Sequence, residues 1–228
     1  MSAPARRPCL APRRRALRGM TLVSLMVGTA LSLLVVAAML LVFRSVVRTT
    51  VQARQGAGLD AQRTSALLAA GAWMQEAGFG VADARAGQQL LVLSNARLQD
   101  GRLAGDVASG APRGGNALVW EARVEGVLQC RGLYAPAAGG LQRLGPVPCA
   151  DGVAAAWSTL AWSPAVVADA EGAAALFELE LLGEAGACGP FGIPSGQGRA
   201  RVQLRMASSA GVDLRESQCL FNLAAPGT

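Results

Sequence analysis

The side chains most able to form covalent bonds or bind a metal in this 228-residue chain are those of five cysteines. Histidine is absent, and all 21 basic residues are arginine. These absences exclude Ser-His-Asp and Cys-His catalysis, histidine-ligated metals, Schiff-base lysines and the lysine of a phosphate-binding loop. No nucleophile–base pair can be assembled without histidine or lysine, and no motif points to the remaining alternative, an enzyme that uses a pair of carboxylates. The sequence therefore predicts a protein that is not an enzyme and uses no cofactor.

The cysteines are spaced too widely for the common metal and redox motifs. Cys9 lies near the N-terminus, and Cys130, Cys149, Cys188 and Cys219 lie in the second half of the chain. No two of them are two to four residues apart, as a Cys₄ zinc site or a CxxC redox motif requires. Disulfides are therefore favoured, and free thiols and a Cys₄ zinc site of unusual spacing are the alternatives.

Three glutamates, Glu178, Glu180 and Glu184, form a candidate calcium site, because carboxylates are the ligands that calcium prefers. Glu178 and Glu180 alternate with apolar residues, which places both on the solvent face of a strand. Arg201 and Arg205 show the same alternation in a later segment and can pair with them across a sheet. We therefore expect a solvated face and no metal site.

The net charge of +6 belongs to one end of the chain. Residues 1–19, the leader, hold six arginines and no acid, whereas residues 20–228 hold fifteen arginines and fifteen acidic residues. The chain after the leader is therefore neutral. A basic isoelectric point of this origin does not indicate a nucleic-acid-binding domain, and we predict no direct nucleic-acid binding.

Residues 20–43, the apolar segment, contain no charge. As a helix, 24 residues span roughly 36 Å, which is enough to cross a bilayer core of about 30 Å. The six arginines of the leader outweigh Arg44 and Arg48 on the other side, so residues 1–19 are expected to stay cytoplasmic while the rest is exported. The segment is too long for an ordinary signal peptide, and an uncleaved anchor is one alternative.

The junction between the leader and the apolar segment reads RGMTLVSLMV from Arg18 to Val27. It resembles the class III signal of type IV pilins and type II secretion pseudopilins, in which a short basic leader ends in glycine. The resemblance implies cleavage after Gly19 by a prepilin peptidase and N-methylation of Met20. It also implies assembly with other major and minor pilins through the N-terminal helix, which lies in the inner membrane before assembly.

Ser24 departs from the family pattern, which has glutamate at the fifth mature position. In the family that carboxylate is thought to pair with the N-terminal amine of an adjacent subunit. Ser24 cannot form this ion pair, although its hydroxyl can bond to a carbonyl one turn back. We interpret the chain as a low-copy subunit at one end of a filament; a tolerated substitution is the alternative.

The helix is expected to continue from Arg44 to about Phe79, because this stretch lacks proline. Gly56 and Gly58 are weak points, and Asp60 is predicted to cap a restarted helix. The predicted packing stripe consists of Leu67, Leu68, Gly71, Ala72 and Gln75. The Ala-Gly-Phe-Gly ending at residues 77–80 resembles the close of the long helix in PilW-type minor pilins.

Residues 80–228 are expected to form a β-rich periplasmic or extracellular domain. Five β-like segments carry this prediction: Gln89–Ser94, Ala117–Val124, Gly126–Leu133, Ala174–Leu182 and Arg199–Met206. Residues 101–116 and 183–198 are rich in glycine and are predicted to be loops. Short connections favour antiparallel pairing, so we expect an α+β fold in which one long helix packs on an antiparallel sheet, as in pilins.

In an exported domain, the four cysteines after the leader are expected to form disulfides. Four cysteines allow three pairings. We favour Cys130–Cys149 and Cys188–Cys219, since each is local and neither loop crosses the other. The bridge near the C-terminus also resembles the C-terminal disulfide loop of many pilins.

The sequence therefore predicts a PilW-like minor pilin that acts in assembly or initiation of a type IV pilus. The resemblance implies downstream roles in adhesion, motility or DNA uptake. A minor pseudopilin of a type II secretion system shares the same N-terminal helix and is the first alternative. A membrane-anchored periplasmic binding protein that is never cleaved is the second.

Overall fold

The computed structural model describes residues 21–169, 175–182, 188–189 and 198–224. It divides into two compact units, Met1–Gln52 and Ala53–Thr228, and each is described by itself. The elements, in chain order, are helix α1 (Leu22–Met74), β1 (Leu90–Gln99), β2 (Arg102–Val107), β3 (Arg113–Gly115), β4 (Ala117–Val124), β5 (Val127–Tyr134), β6 (Leu141–Pro148), helix α2 (Val153–Ala156), β7 (Pro164–Ala168), β8 (Leu176–Leu181), β9 (Ala200–Ala207) and β10 (Asp213–Leu220).

The strands of the second unit form two antiparallel sheets. One has six strands in the order β2-β1-β4-β5-β6-β7, and the other has four in the order β10-β9-β8-β3. Helix α1 supplies the α part of the fold, because its last three turns are buried in the core of this unit. The expected α+β class is confirmed, although the strands divide between two sheets.

Helix α1 is unbroken from Leu22 to Met74, so the predicted restart at Asp60 is wrong. Two glycines cost about 1 kcal/mol each in a helix, which a long apolar sequence and tertiary packing can offset. Gly56 has a packing reason, since a Cβ there would lie 3.1 Å from the Ser209 hydroxyl oxygen. Asp60 lies inside the helix and binds Ser209 instead of capping a helix end.

The buried stripe of α1 comprises Arg63, Ala66, Leu67, Ala70, Gly71 and Met74. Its spacing of three and four residues follows one helical face. The predicted stripe is therefore wrong at Leu68 and Ala72, which are exposed, whereas Gln75 is half-buried. Adjacent residues lie about 100° apart on a helix, so a stripe that includes Ala66 and Leu67 leaves Leu68 on the far side, about 200° from Ala66. The helix also ends at Met74, five residues earlier than predicted, and turns follow to Gly80.

The second unit has two main apolar clusters, one on each face of the six-stranded sheet. The first joins α1 to both sheets through residues such as Met74, Trp120 and Phe177. The second lies beneath α2 and the segment that follows it, where Val153 and Trp162 are buried. Both faces of the six-stranded sheet are thus covered, which explains the uninterrupted burial of residues 117–122 in β4.

Several strands were not anticipated from the sequence. The predicted loop at residues 101–116 contains β2 and β3, so that prediction is wrong, and β6, β7 and β10 also lacked a recognised signal. β2 buries only Leu103 among its six residues, so alternation is absent. Of the second predicted loop, residues 183–187 and 190–197 lie outside the described residues, while Cys188 and Gly198 form a β-bridge.

Candidate functional site

The start of helix α1 is built by a local cap. Thr21 precedes the helix, and its Oγ1 accepts a hydrogen bond of 3.4 Å from the backbone N–H of Ser24. Threonine caps a helix in this way because its side chain satisfies an amide that has no intrahelical partner. Gly19 and Met20, the predicted cleavage and N-methylation residues, lie outside the described residues, as does Cys9.

Ser24 occupies the third helical position after the Thr21 cap. A glutamate at this position commonly completes a capping box and complements the positive end of the helix dipole. Helix α1 has no acidic residue in its first turn. In the part of the chain that the structure describes, the N-terminal end of the helix therefore has no carboxylate of its own.

The apolar segment is uncovered within its own unit. All residues from 21 to 55 are exposed, including eighteen large apolar side chains between Leu22 and Val51. Helix α1 is long and apolar enough to cross a membrane. The hydroxyls of Thr29 and Ser32 donate to the carbonyls of Met26 and Gly28, each at 2.9 Å. These internal bonds leave the two hydroxyls satisfied in an apolar environment.

Small residues recur on one face of this segment. Ser24, Gly28 and Ser32 are four residues apart and line a shallow groove with Leu25, Thr29 and Leu33. A Cβ at Gly28 would meet no other atom within 4 Å. Small residues at this spacing allow two helix backbones to approach closely.

The structure forms the two disulfides favoured above. Cys130 of β5 is bonded to Cys149 beyond β6, and Cys188 is bonded to Cys219 of β10. All four sulfur atoms are thereby engaged, so they are not available as metal ligands. Each bond ties a strand to a neighbouring segment, which indicates a structural role.

The acidic face of β8 is paired with β9. Glu180 pairs with Arg201 at 3.2 Å, and Glu178 pairs with Arg205. Glu184 lies outside the described residues. No group of three or more potential metal ligands occurs among the residues that the structure describes. The expected ion pairing across the sheet is therefore confirmed.

A polar clip joins α1 to the turn between β9 and β10. The Asp60 carboxylate accepts bonds from the Ser209 backbone N–H at 2.7 Å and from the Ser209 hydroxyl at 2.8 Å. Both bonds favour the charged form and lower the pKa of Asp60, and Arg63 at 3.5 Å acts in the same direction. Burial opposes this shift only in part.

Sequence reasoning missed a cleft that lies at the crossing from β3 to β4. Asn116 connects the two strands, and its side chain binds the backbone of Ala96 and of Ala135. The cleft has a volume of about 710 Å³ and lies between a bulge in β1 and the beginning of β8. The only sequence signal is an asparagine after two glycines and before an apolar strand.

Comparison of the chain with models of protein families, with characterised proteins and with solved structures finds no match.

Proposed function

We propose that this chain is a minor pilin of a type IV pilus, matured after Gly19 and assembled through its N-terminal helix. One observation carries the proposal. From Leu22 to Phe43, helix α1 presents an uncharged surface that nothing covers in its own unit, and the helix continues without a break to Met74 in the core of a disulfide-bonded domain. A filament subunit needs such a helix, since the same element must leave the bilayer and pack between other subunits.

The exposed apolar surface requires a partner or a bilayer. Burying one large apolar side chain contributes about 1.5–3 kcal/mol, so eighteen of them represent tens of kcal/mol. A bilayer recovers this free energy before assembly, and the helices of neighbouring pilins recover it afterwards. The small-residue face at Ser24, Gly28 and Ser32 favours close packing of a second helix at this level.

Ser24 restricts the position of the subunit in the proposed filament. Without a carboxylate in its first helical turn, the chain can present the amine of Met20 to a neighbour but cannot bind a neighbour's amine in return. A repeating subunit needs both contacts, whereas a terminal subunit needs one. We therefore assign the chain to one end of the filament, where it initiates or caps assembly.

Processing is the first property to measure. The intact mass and N-terminal sequence of the chain from native membranes should show a protein that begins at N-methylated Met20 and contains both disulfides. Gly19→Leu should retain the leader, because a bulky residue replaces the glycine at the cut. Gly28→Ala is the matched control and should be processed normally, since its Cβ meets no other atom within 4 Å.

Other results would assign a different role. A chain that retains residues 1–19 in native membranes would be an anchored domain and would contradict the proposal. Cross-linking from the Ser24 position distinguishes the two filament systems, because it should recover type IV pilins rather than type II secretion pseudopilins. Ser24→Glu should increase the number of copies per filament. An unchanged copy number would contradict the terminal position.

A further inference from the structure

Two segments that line the cleft between β1, β3 and β8 are joined by a single side chain, that of Asn116. Asn116 Oδ1 accepts from the Ala96 N–H at 2.8 Å, while its Nδ2 donates to the carbonyls of Ala96 at 2.9 Å and Ala135 at 3.1 Å. Ala96 and Ala135 both line the cleft and are both buried. The cleft is therefore formed before any ligand arrives, which reduces the entropy cost of binding.

Gly114 of β3 lines the cleft without a side chain that would occupy it. A Cβ at Gly114 would meet nothing within 4 Å, and this residue is paired with Glu178 of β8. Its neighbour Gly115 differs, since a Cβ there would lie 2.1 Å from the Leu93 carbonyl oxygen. Gly115 is thus needed for packing of the backbone, whereas Gly114 leaves empty volume.

The walls of the cleft combine an apolar base with unpaired polar groups. Phe177 and Tyr134 contribute buried rings, and Leu176 is 54% exposed beside them. Arg97 and the Tyr134 hydroxyl have no hydrogen-bond or ion-pair partner within the described ranges. A volume of about 710 Å³ falls within the range of about 300–1,000 Å³ that is typical of small-molecule sites.

The charge of the lining favours an anion. Glu178 is the only acidic residue that lines the cleft in the described part of the chain, and it is already paired with Arg205. Asp106 on the adjacent β2 is bound by the Asn95 amide at 3.3 Å and does not line the cleft. Asp106 lines a neighbouring groove with Arg97, but the Arg97 guanidinium forms no ion pair among the described residues and so can bind a ligand.

We propose that this cleft binds a small amphipathic carboxylate. The apolar part of the ligand packs on Leu176, its carboxylate pairs with Arg97, and the Tyr134 hydroxyl donates to the same carboxylate. Charge-assisted bonds of this kind give both affinity and orientation. The assignment is independent of the proposed filament role, because the whole cleft lies in the second unit.

Binding can be tested with the oxidised full-length chain in lipid nanodiscs. The probe is 4-phenylbutyrate, the uncharged analogue is 4-phenylbutanamide, and saturation-transfer NMR titrations are corrected with empty nanodiscs. We expect saturable binding with a Kd of about 1 mM or tighter for the carboxylate. The amide should bind about fivefold or more weakly, because it loses the ion pair with Arg97.

Three variants assign the site. Gly114→Phe should remove saturable binding by filling the cleft, and Arg97→Gln should weaken it about fivefold or more. Arg215→Gln is the control, since Arg215 is an exposed arginine of β10 that does not line the cleft, and it should bind as the wild type does. Thermal unfolding midpoints verify that each variant is folded. Arg97 is exposed and forms no ion pair among the described residues, so Arg97→Gln should fold and tests the proposal even if Gly114→Phe does not fold.

The proposal is overturned if the wild type shows no saturable binding up to about 10 mM carboxylate. It is also overturned if the amide binds as tightly as the carboxylate, or if Arg97→Gln leaves the Kd unchanged.

Discussion

Replacing Asn116 with alanine tests whether one side chain holds the crossing between the two sheets. The bulge in β1 shifts the register of its pairing with β2 between Ser94 and Arg97, so the backbone of Ala96 lies outside the regular ladder. The Asn116 amide supplies the bonds that a strand would otherwise provide. Asn116→Ala removes these bonds, while the backbone bonds of residue 116 to Leu93 and Ala135 persist.

The change in the free energy of unfolding follows from the number of backbone groups that Asn116→Ala leaves without a hydrogen-bond partner. The Ala96 N–H, the Ala96 carbonyl and the Ala135 carbonyl each lose a partner, and both residues are at least 96% buried. A buried backbone group without a partner costs about 1–3 kcal/mol, and some relaxation or water entry reduces the sum. We expect Asn116→Ala to lower the free energy of unfolding by about 2–4 kcal/mol.

Urea unfolding of the oxidised chain in nanodiscs, followed by tryptophan fluorescence, measures this change. Trp120 is 1% exposed and reports on the core that the crossing supports. With a slope of about 1–3 kcal/mol per molar urea, the midpoint should fall by roughly 1–2 M. Asn222→Ala is the matched control, because it removes one bond, from its amide to the Gln75 carbonyl at 2.8 Å, and should cost about 1 kcal/mol.

Equal effects of the two alanine variants would refute this reasoning. That result would mean that the backbone groups of Ala96 and Ala135 find other hydrogen-bond partners. The side-chain bonds of Asn116 would then not be what stabilises the connection between β3 and β4. A change in the urea slope without a change in midpoint would point instead to an altered unfolded state.

Three further predictions concern the helix and the disulfides. Folding lowers the pKa of Asp60, so its carboxylate stabilises the fold above its ordinary pKa of 3.8, and this contribution is lost as pH falls through the lowered value. Asp60→Asn should therefore reduce the loss of unfolding free energy that the wild type shows as pH falls through this range. An equal loss in the variant and the wild type would contradict the role of the contact between Asp60 and Ser209. Leu67→Ala should cost about 2–4 kcal/mol and Leu68→Ala less than about 0.5 kcal/mol, since the two side chains belong to residues that are 4% and 61% exposed; equal losses in chemical denaturation would place the stripe elsewhere. Joint replacement of Cys130 and Cys149 by alanine should cost about 3 kcal/mol through the lost 19-residue loop constraint. A calorimetric midpoint equal to that of the oxidised wild type would argue against this origin.

The strands with regular alternation were the best predicted part of the fold. Phe177 and Leu179 in β8, and Val202 and Leu204 in β9, are buried, while the intervening charges face outward and pair across the sheet. These strands could be predicted because successive side chains of a β-strand point to opposite faces, and this alternation depends on the strand's own backbone alone. β4 was predicted with its observed bounds, Ala117–Val124, since its apolar run is bounded by turn residues.

The edge strands and the helix face were predicted poorly for a common reason. β7 (Pro164–Ala168) pairs on one side only, so its burial does not alternate and carries no periodic signal. On α1, Leu67 and Leu68 are both apolar, so the sequence allows either of them in the packing stripe. Which of the two is buried is decided by the side of the helix that packs on the rest of the domain. Asn116 bridges segments about 20 residues away on both sides, and no local pattern encodes such a contact.

The sequence by itself determined the uncharged apolar helix, the basic leader, the α+β class and the even set of cysteines available for pairing. These properties depend on composition and on short-range periodicity. The division into two sheets, the burial of Arg63 and Leu67, the clip at Asp60 and the cleft beneath Asn116 were decided only by the tertiary structure. Each of them depends on contacts between segments that are distant in the chain, and the free energy of such contacts depends on geometry that local residue patterns do not specify.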